Sequence, residues 1–263
     1  MNTNTNISTA ATPTSLLSGV PMQMSDIDSA VTEITARARG GETFLVITPN
    51  IQHFYVARKD ATFLRILQKS EFLLPDGWPV VAAMRILDGY RGKRITGADL
   101  ILEILNCAVK QGLKVGIMGG KPGVAANAAE RARLLYKGLD IMGLDSPIFS
   151  SGKDEADVAL LLDAMPDMHI DLFFLCIGAP KSEFLAANAR SQLNCGAIMC
   201  FGAAIDFLAG KRARAPRLVQ QLKLEWLYRL TQEPRRLLPR YFRAAPAFAL
   251  TIAKAAIHRR STR

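Results

Sequence analysis

Along the chain, short continuous apolar runs alternate with longer stretches whose apolar positions recur every three to four residues. The runs TFLVITPN (43–50), FLLP (72–75), KVGIMGG (114–120), LDIMGLD (139–145), DLFFLCIGAP (171–180) and AIMCFGAAIDF (197–207) combine β-branched and aromatic residues with glycine, proline or asparagine terminators. That pattern predicts strands, several of them buried on both faces. Helical spacing predicts helices over 24–40, 51–69, 97–111, 121–137, 153–165 and 181–193, with DGWPV opening one more after FLLP. Ser25 is the expected cap of the first helix and Gly40-Gly41 its stop. Strand then helix, repeated, implies an α/β fold with a mainly parallel sheet covered by helices on both faces. Ligands of such folds bind where strand carboxyl ends meet helix N-termini, so the loops TPN, PDG, GGKPG, GAPKSE and GAAIDF hold the candidate chemistry.

After residue 210 the pattern changes. Trp226, Leu227, Leu230, Leu237, Leu238, Tyr241 and Phe242 stand among many arginines, which predicts amphipathic helices broken at Pro234 and Pro239. The segment 245–257 is too short to span a bilayer. Charge divides the chain at the same place. The net charge is +10 over 263 residues, but residues 1–210 sum to −2 and residues 211–263 to +12. Such a block seeks polyanions: nucleic acid, acidic lipid head groups or substrate phosphates. The expected organisation is a disordered lead-in over 1–20, rich in Thr and Asn, a catalytic α/β domain over 21–210, and a basic amphipathic appendage over 211–263. The start of the chain lacks the charged and apolar regions of a secretory signal, which points to the cytoplasm. The four cysteines, Cys107, Cys176, Cys195 and Cys200, form no C-x-x-C pair and read as buried thiols of a reducing compartment.

The loops offer several groups. Asp76 lies between Pro75 and Gly77 in a greasy stretch; it reads either as a helix cap or as a general base whose pKa is raised by desolvation. Thr48 and Asn50 offer a hydroxyl and an amide at a strand end, or a bare turn. Arg94 stands just ahead of a helix start, as an anion clamp or a surface cation. Gly119 and Gly120 either expose N–H groups to phosphate or make a tight turn. In GAPKSE, Gly178 and Lys181 repeat that geometry. A cation in a first helical turn opposes the macrodipole, which points to a bound anion or to a solvated lysine. Asp206, between Ile205 and Phe207, is a ligand to a base or sugar, or a satisfied core group. The Asp26/Asp28 pair has the D-x-D pattern of metal-using sugar transferases but falls on a helix start. His53, His169 and His258 are scattered, and no metal spacing appears.

Taken in order, the motifs TPN, ARKD, LPDG, ITGADL, GGKPGVA, GAPK-x-E, IDFLAG, RAPR and LEWLYRL-x-QEPRR resemble those of the TagA/WecG/CpsF glycosyltransferases, family 26, from about Thr43 to Phe242. The resemblance implies a Rossmann-like α/β fold with a C-terminal appendage. It also implies an inverting, metal-independent transfer from a UDP-sugar to a sugar on a polyprenyl-diphosphate lipid, at the cytoplasmic face of the membrane. By the same resemblance Asp76 is the general base, Thr48 and Asn50 are acceptor-side groups, and Arg94 is a basic group of the catalytic pocket. Asp206 contacts uracil and Phe149 falls near the ring that stacks on it. Arg235, Arg236 and Arg240 lie in an appendage that meets the membrane and reaches toward the diphosphate. Ser182 replaces the family's usual glutamine, which leaves the exact substrate open.

The partners implied are thus a UDP-sugar, as donor substrate rather than cofactor, a lipid-diphosphate-linked acceptor and an anionic membrane surface, with no nucleic acid. Homo-oligomerisation is left open. The alternatives are a nucleotide-binding regulatory protein without turnover, made thinkable by Ser182, and a nucleic-acid-binding module using the tail. Against the latter, no helix-turn-helix, RRM or KH signature is present.

Overall fold

The computed structural model describes residues 14–211, 215, 216, 218, 219, 222 and 224–261. Residues 1–13 of the expected lead-in, and Arg214 and Arg217 of the RAPR motif, lie outside the described residues.

Described structure begins inside the stretch expected to be disordered. Strands β1 (Thr14–Leu17) and β2 (Val20–Gln23) form an antiparallel hairpin. The polar bias of the N-terminus hides an apolar set, Leu17, Val20 and Met22, that is fully buried. The turn needs Gly19 at φ 81°. Helix α1 (Ile27–Arg37) is capped by Asp26, not Ser25: its carboxylate accepts the Ser29 N–H at 2.8 Å. The D-x-D pair is therefore a helix start.

Six parallel strands follow: β3 (Phe44–Ile47), β4 (Phe72–Leu73), β5 (Val115–Gly119), β6 (Ile141–Leu144), β7 (Ile170–Cys176) and β8 (Cys195–Cys200). Their order across the sheet is β4-β3-β8-β7-β5-β6. The period of two along each strand sorts its side chains between two cores. Phe44, Val46, Leu172, Phe174, Ala197 and Met199 enter one; Leu45, Ile47, Phe173, Leu175, Ile198 and Cys200 enter the other. Helices α1, α5 (Gly97–Gln111), α6 (Val124–Leu135) and α9 (Ala204–Leu208) cover the first. Helices α2 (Ile51–Ala57), α3 (Ala61–Lys69), α4 (Trp78–Asp88), α7 (Glu155–Asp163) and α8 (Lys181–Ala189) cover the second.

The expected helix over 51–69 is two helices. Asp60 interrupts it, its carboxylate accepting the N–H groups of Thr62 at 2.9 Å and Phe63 at 3.1 Å as the cap of α3. Of the four cysteines expected to be buried thiols, Cys176, Cys195 and Cys200 are buried and free, while Cys107 is free but only partly buried.

The chain ends in α10 (Glu225–Gln232) and α11 (Pro234–Ser261). Pro234 opens α11 instead of breaking a helix, because the first turn has no use for its missing N–H. Pro239 and Pro246 lie inside α11 without ending it. What holds α11 in place is packing. With 3.6 residues per turn, Leu237, Ala244 and Phe248 share one buried face. Phe248 meets Phe54 of α2 with ring centroids 5.3 Å apart, and Arg58 donates to the Ala247 carbonyl at 3.1 Å. The appendage is thus docked on the α/β body over the carboxyl ends of β3 and β4. No helix among the described residues is long and apolar enough to cross a membrane.

Candidate active site

At the end of β3 the chain turns through Thr48-Pro49 into Asn50, which caps α2 from extended backbone (φ −121°, ψ −179°). Asn50 Oδ1 accepts the Gln52 N–H at 3.0 Å, and the Asn50 N–H donates to His53 Nδ1 at 3.2 Å. Thr48 beside it is buried.

The neighbouring strand end brings in Asp76. The Leu74 N–H donates to Ile47 O at 3.0 Å and the Asp76 N–H to Pro49 O at 3.1 Å, which fixes the two loops side by side. Helix α4 takes its N-cap from Gly77, at φ 85°, and receives no side-chain cap. The capping reading of Asp76 is therefore overturned: the positive φ at Gly77 starts the helix one residue later, and the carboxylate is left over. Burial pushes its pKa up. Arg229 and Arg94 oppose that and Glu225 adds to it, and the balance remains upward.

Arg94 arrives on the loop before α5, which is tied to the Asp76 loop by the Ile95 N–H donating to Pro75 O at 2.9 Å. Arg94 does not stand free. It bonds Glu225 Oε2 at 2.8 Å, and Arg229 bonds Glu225 Oε1 at 3.0 Å. Glu225 is only 5% exposed. From α11, Arg240 reaches Asn50 Oδ1 at 3.4 Å, and desolvation pulls its pKa down. Tyr241 feels the charges of Arg229, Arg240, Asp76 and Glu225, while burial pushes its pKa up. Trp226 meets Tyr241 edge-on, with centroids 6.1 Å apart. The appendage therefore supplies one wall of a partly enclosed site: a carboxylate ringed by three arginines, with a second carboxylate between two of them.

The remaining sequence candidates take several positions. Lys181 donates to the Phe149 carbonyl at 2.7 Å, so in this structure its partner is a backbone oxygen. The Phe149 ring is packed in the core, at 4% exposure. Ser182 is fully buried, and its hydroxyl donates to Glu183 Oε2 at 3.0 Å. A side chain this short is satisfied inside the loop itself. Gly178 has φ 95° and precedes the cis Ala179–Pro180 bond. It lies beside Gly202 in the loop that leads to Asp206 on α9. The charge of Asp206 contributes, after burial, to raising the Cys176 pKa to about 12. Gly119 and Gly120 have φ 134° and 76°, and a Cβ on Gly119 would meet the Cys176 backbone at 2.5 Å. A tight turn is thus needed there whatever it also binds. Arg235 is exposed, and Arg236 pairs with Glu233 at 2.6 Å on the outer side of α11.

The structure therefore brings together Thr48, Asn50, Asp76, Arg94 and Arg240. Phe149, Lys181 and Ser182 form a second group around the start of α8. Sequence reasoning gave no role to four residues of the site: His53, Glu183, Glu225 and Arg229. One signal did exist, since Glu225 and Glu233 are the two acidic residues in residues 211–263. An acid inside a basic block asks for a partner.

The chain matches the family model described as "Glycosyl transferase WecG/TagA/CpsF family" over residues 14–262. An N-acetylglucosaminyldiphosphoundecaprenol N-acetyl-beta-D-mannosaminyltransferase of Bacillus subtilis (strain 168) is 29% identical over 210 residues, covering 80% of this chain and 79% of the relative. The protein of the same description from Bacillus spizizenii is 28% identical over 193 residues, covering 73% and 72%.

Proposed function

Because the chain belongs to the WecG/TagA/CpsF glycosyltransferase family, and is thus a glycosyltransferase, we propose that it moves a sugar from a UDP-sugar to a saccharide carried on a polyprenyl diphosphate. The product serves a bacterial cell-surface polysaccharide. The reading is supported by the relatives' printed acceptor, a diphosphoundecaprenol carrying N-acetylglucosamine. The observation that carries it is Asp76: a carboxylate not used as a cap, its pKa raised by burial, within reach of the charges of Arg94 and Arg229.

The chemistry follows from that placement. An acceptor hydroxyl is a poor nucleophile at neutral pH. Asp76 takes its proton as the new C–O bond forms, on the face of the donor opposite the departing UDP. The electrons of the old anomeric C–O bond leave with UDP, and the anomeric centre inverts. General-base help contributes about 100- to 10,000-fold. The charge that develops on UDP is met by the cations of the site, among them Arg94, Arg229 and Arg240, whose charges reach Asp76. Lys181 joins them once it exchanges the Phe149 carbonyl for a phosphate. Asp206 and the loops at Gly119 and Gly178 hold the nucleotide, with no metal required.

The lipid acceptor stays in the membrane, so the enzyme visits the inner face of the cell membrane as a peripheral protein. The outer face of α11 suits this. Leu238, Phe242, Leu250 and Ile257 are exposed there, among Arg235, Arg243 and Lys254. A basic face contributes about 1 kcal/mol for each well-placed cation near anionic lipid, and the apolar residues enter the interface.

The test is UDP release from UDP-glucose, UDP-glucuronic acid and UDP-N-acetylmannosamine, with a lipid-diphosphate-sugar acceptor and with excess chelator. Transfer to the acceptor at an undiminished rate in chelator is expected. Absence of transfer from every donor overturns the proposal.

A further inference from the structure

His53 and Glu183 are the most deeply buried oppositely chargeable pair beside Asn50, and no step of the reaction above uses them. His53 Nε2 lies 3.2 Å from Glu183 Oε1, with the two side chains 5% and 1% exposed. They join helices whose N-termini begin at the ends of different strands, α2 after β3 and α8 after β7.

The hydrogen bonds fix the histidine's tautomer. A backbone N–H can only donate, so His53 Nδ1, which faces the Asn50 N–H at 3.2 Å, is the acceptor. The proton is then on Nε2 and donates to Glu183 Oε1. The other carboxylate oxygen receives the Ser182 hydroxyl at 3.0 Å. Glu183 is thus held by two donors, and it holds the imidazole in the one tautomer that can cap Asn50.

The consequence falls on the Asn50 amide. Its Oδ1 receives the Gln52 N–H at 3.0 Å and Arg240 at 3.4 Å. Oδ1 also lies 3.2 Å from the His53 Nδ1 acceptor, but two donors against that one acceptor set the oxygen toward them. Among the described residues, Asn50 Nδ2 has no protein partner. Asn50 is joined through Pro49 to the Asp76 backbone at 3.1 Å. A fixed, unspent N–H₂ group next to the proposed base is a donor for an oxygen on the acceptor sugar.

We propose that His53 and Glu183 are a positioning pair, which locks Asn50 so that its amide N–H₂ binds an oxygen of the acceptor sugar beside Asp76. Neither residue touches substrate. Glu183 sets the imidazole tautomer, the imidazole holds the Asn50 backbone, and Asn50 reads the acceptor. Ser182 then has a place in this chain: it satisfies the second oxygen of the buried carboxylate. The inference rests on the proposed transfer to a sugar acceptor.

The experiment compares wild type with Glu183→Ala, Glu183→Gln and His53→Gln, measuring KM separately for the UDP-sugar and for the lipid-diphosphate-sugar acceptor. Misplacing a binding group by about 1 Å costs about 100-fold in such sites. Glu183→Ala is therefore expected to raise acceptor KM by about 10- to 100-fold and to leave donor KM within about twofold. Glu183→Gln, which keeps an oxygen for Nε2–H, is expected to recover most of that loss. His53→Gln keeps a donor for Glu183, so the buried carboxylate stays paired, but it removes the acceptor for the Asn50 N–H. Its acceptor KM is expected to rise by about 10-fold even if Glu183→Ala fails to fold.

A folded His53→Gln with wild-type acceptor KM overturns the inference. So does an equal loss for donor and acceptor, or a Glu183→Gln as impaired as Glu183→Ala. Absence of wild-type transfer overturns the proposed function and this inference with it. Wild-type transfer with no split between the two KM values overturns this inference alone.

Discussion

Arg94 and Glu225 meet at 2.8 Å, across 131 positions of sequence. One belongs to the loop before α5, the other to the first turn of α10, and Glu225 is buried between Arg94 and Arg229. This contact makes the C-terminal segment part of the site. It also sets the electrostatics of Asp76, because both arginines lower its pKa and Glu225 raises it.

Replacing Asp76 by Asn removes the proposed base and keeps the shape. Transfer is expected to fall by about 100- to 10,000-fold. Stability is expected to move the other way. A folded-state pKa above the unfolded value of 3.8 means that ionising Asp76 costs stability as pH rises between those two values. Asp76→Asn is therefore expected to melt higher than wild type at pH 7, with the gap closing below pH 3.8. Calorimetry on the same preparation used for kinetics checks both.

Glu225→Gln and Arg229→Gln should shift the pH profile in opposite directions. Removing the Glu225 charge lowers the Asp76 pKa, so the acid limb of kcat/KM moves to lower pH. Removing the Arg229 charge moves that limb to higher pH. Two limbs displaced the same way would show that the limb does not report Asp76.

Membrane binding and catalysis are expected to separate on α11. Phe248→Ala strips the ring that packs on Phe54 and should cost about 3 kcal/mol in stability. Reversing the outer cations Arg235, Arg243 and Lys254 to Glu leaves that packing alone. It is expected to abolish flotation with anionic liposomes while the melting temperature stays within a few degrees. Flotation that persists removes the outer face of α11 from membrane binding.

Asp157 governs acid stability away from the site. Burial raises its pKa, but the N–H groups of Ser150, Gly152 and Ser151 outweigh this and bring it to about 2. Its contribution is present above 3.8 and lost as pH falls toward about 2. Asp157→Asn is expected to cost about 2 kcal/mol near neutral pH, the range for hydrogen bonds to a charged group, and less in acid. Urea melts at pH 7 and pH 3 test the sign.

Much of this molecule was written in local pattern. Helix α5 occupies the residues its spacing predicts, Gly97–Gln111, and the strands FLVI, FL and LFFLC lie where continuous apolar runs put them. Period and β-branching act over a few residues, so a sequence records them directly. The N-terminal hairpin was legible only as three apolar residues in a polar segment. The break at Asp60 was hidden by a longer apolar period that ran across it, and only the structure shows Asp60 capping α3.

The strand-end loops and their candidate groups were likewise fixed by residue type: an aspartate between Pro75 and Gly77, an asparagine after a strand, a basic block after residue 210. What those groups do to one another was decided by the fold alone. Glu225 comes to Arg94, Arg240 to Asn50 and Glu183 to His53 over separations of 131, 190 and 130 residues. Pattern along the chain carries no distance between such positions. The pKa of Asp76, the burial of Phe149 and Ser182, and the place of the appendage as a wall of the site all depend on those distances, since charge and desolvation act through space.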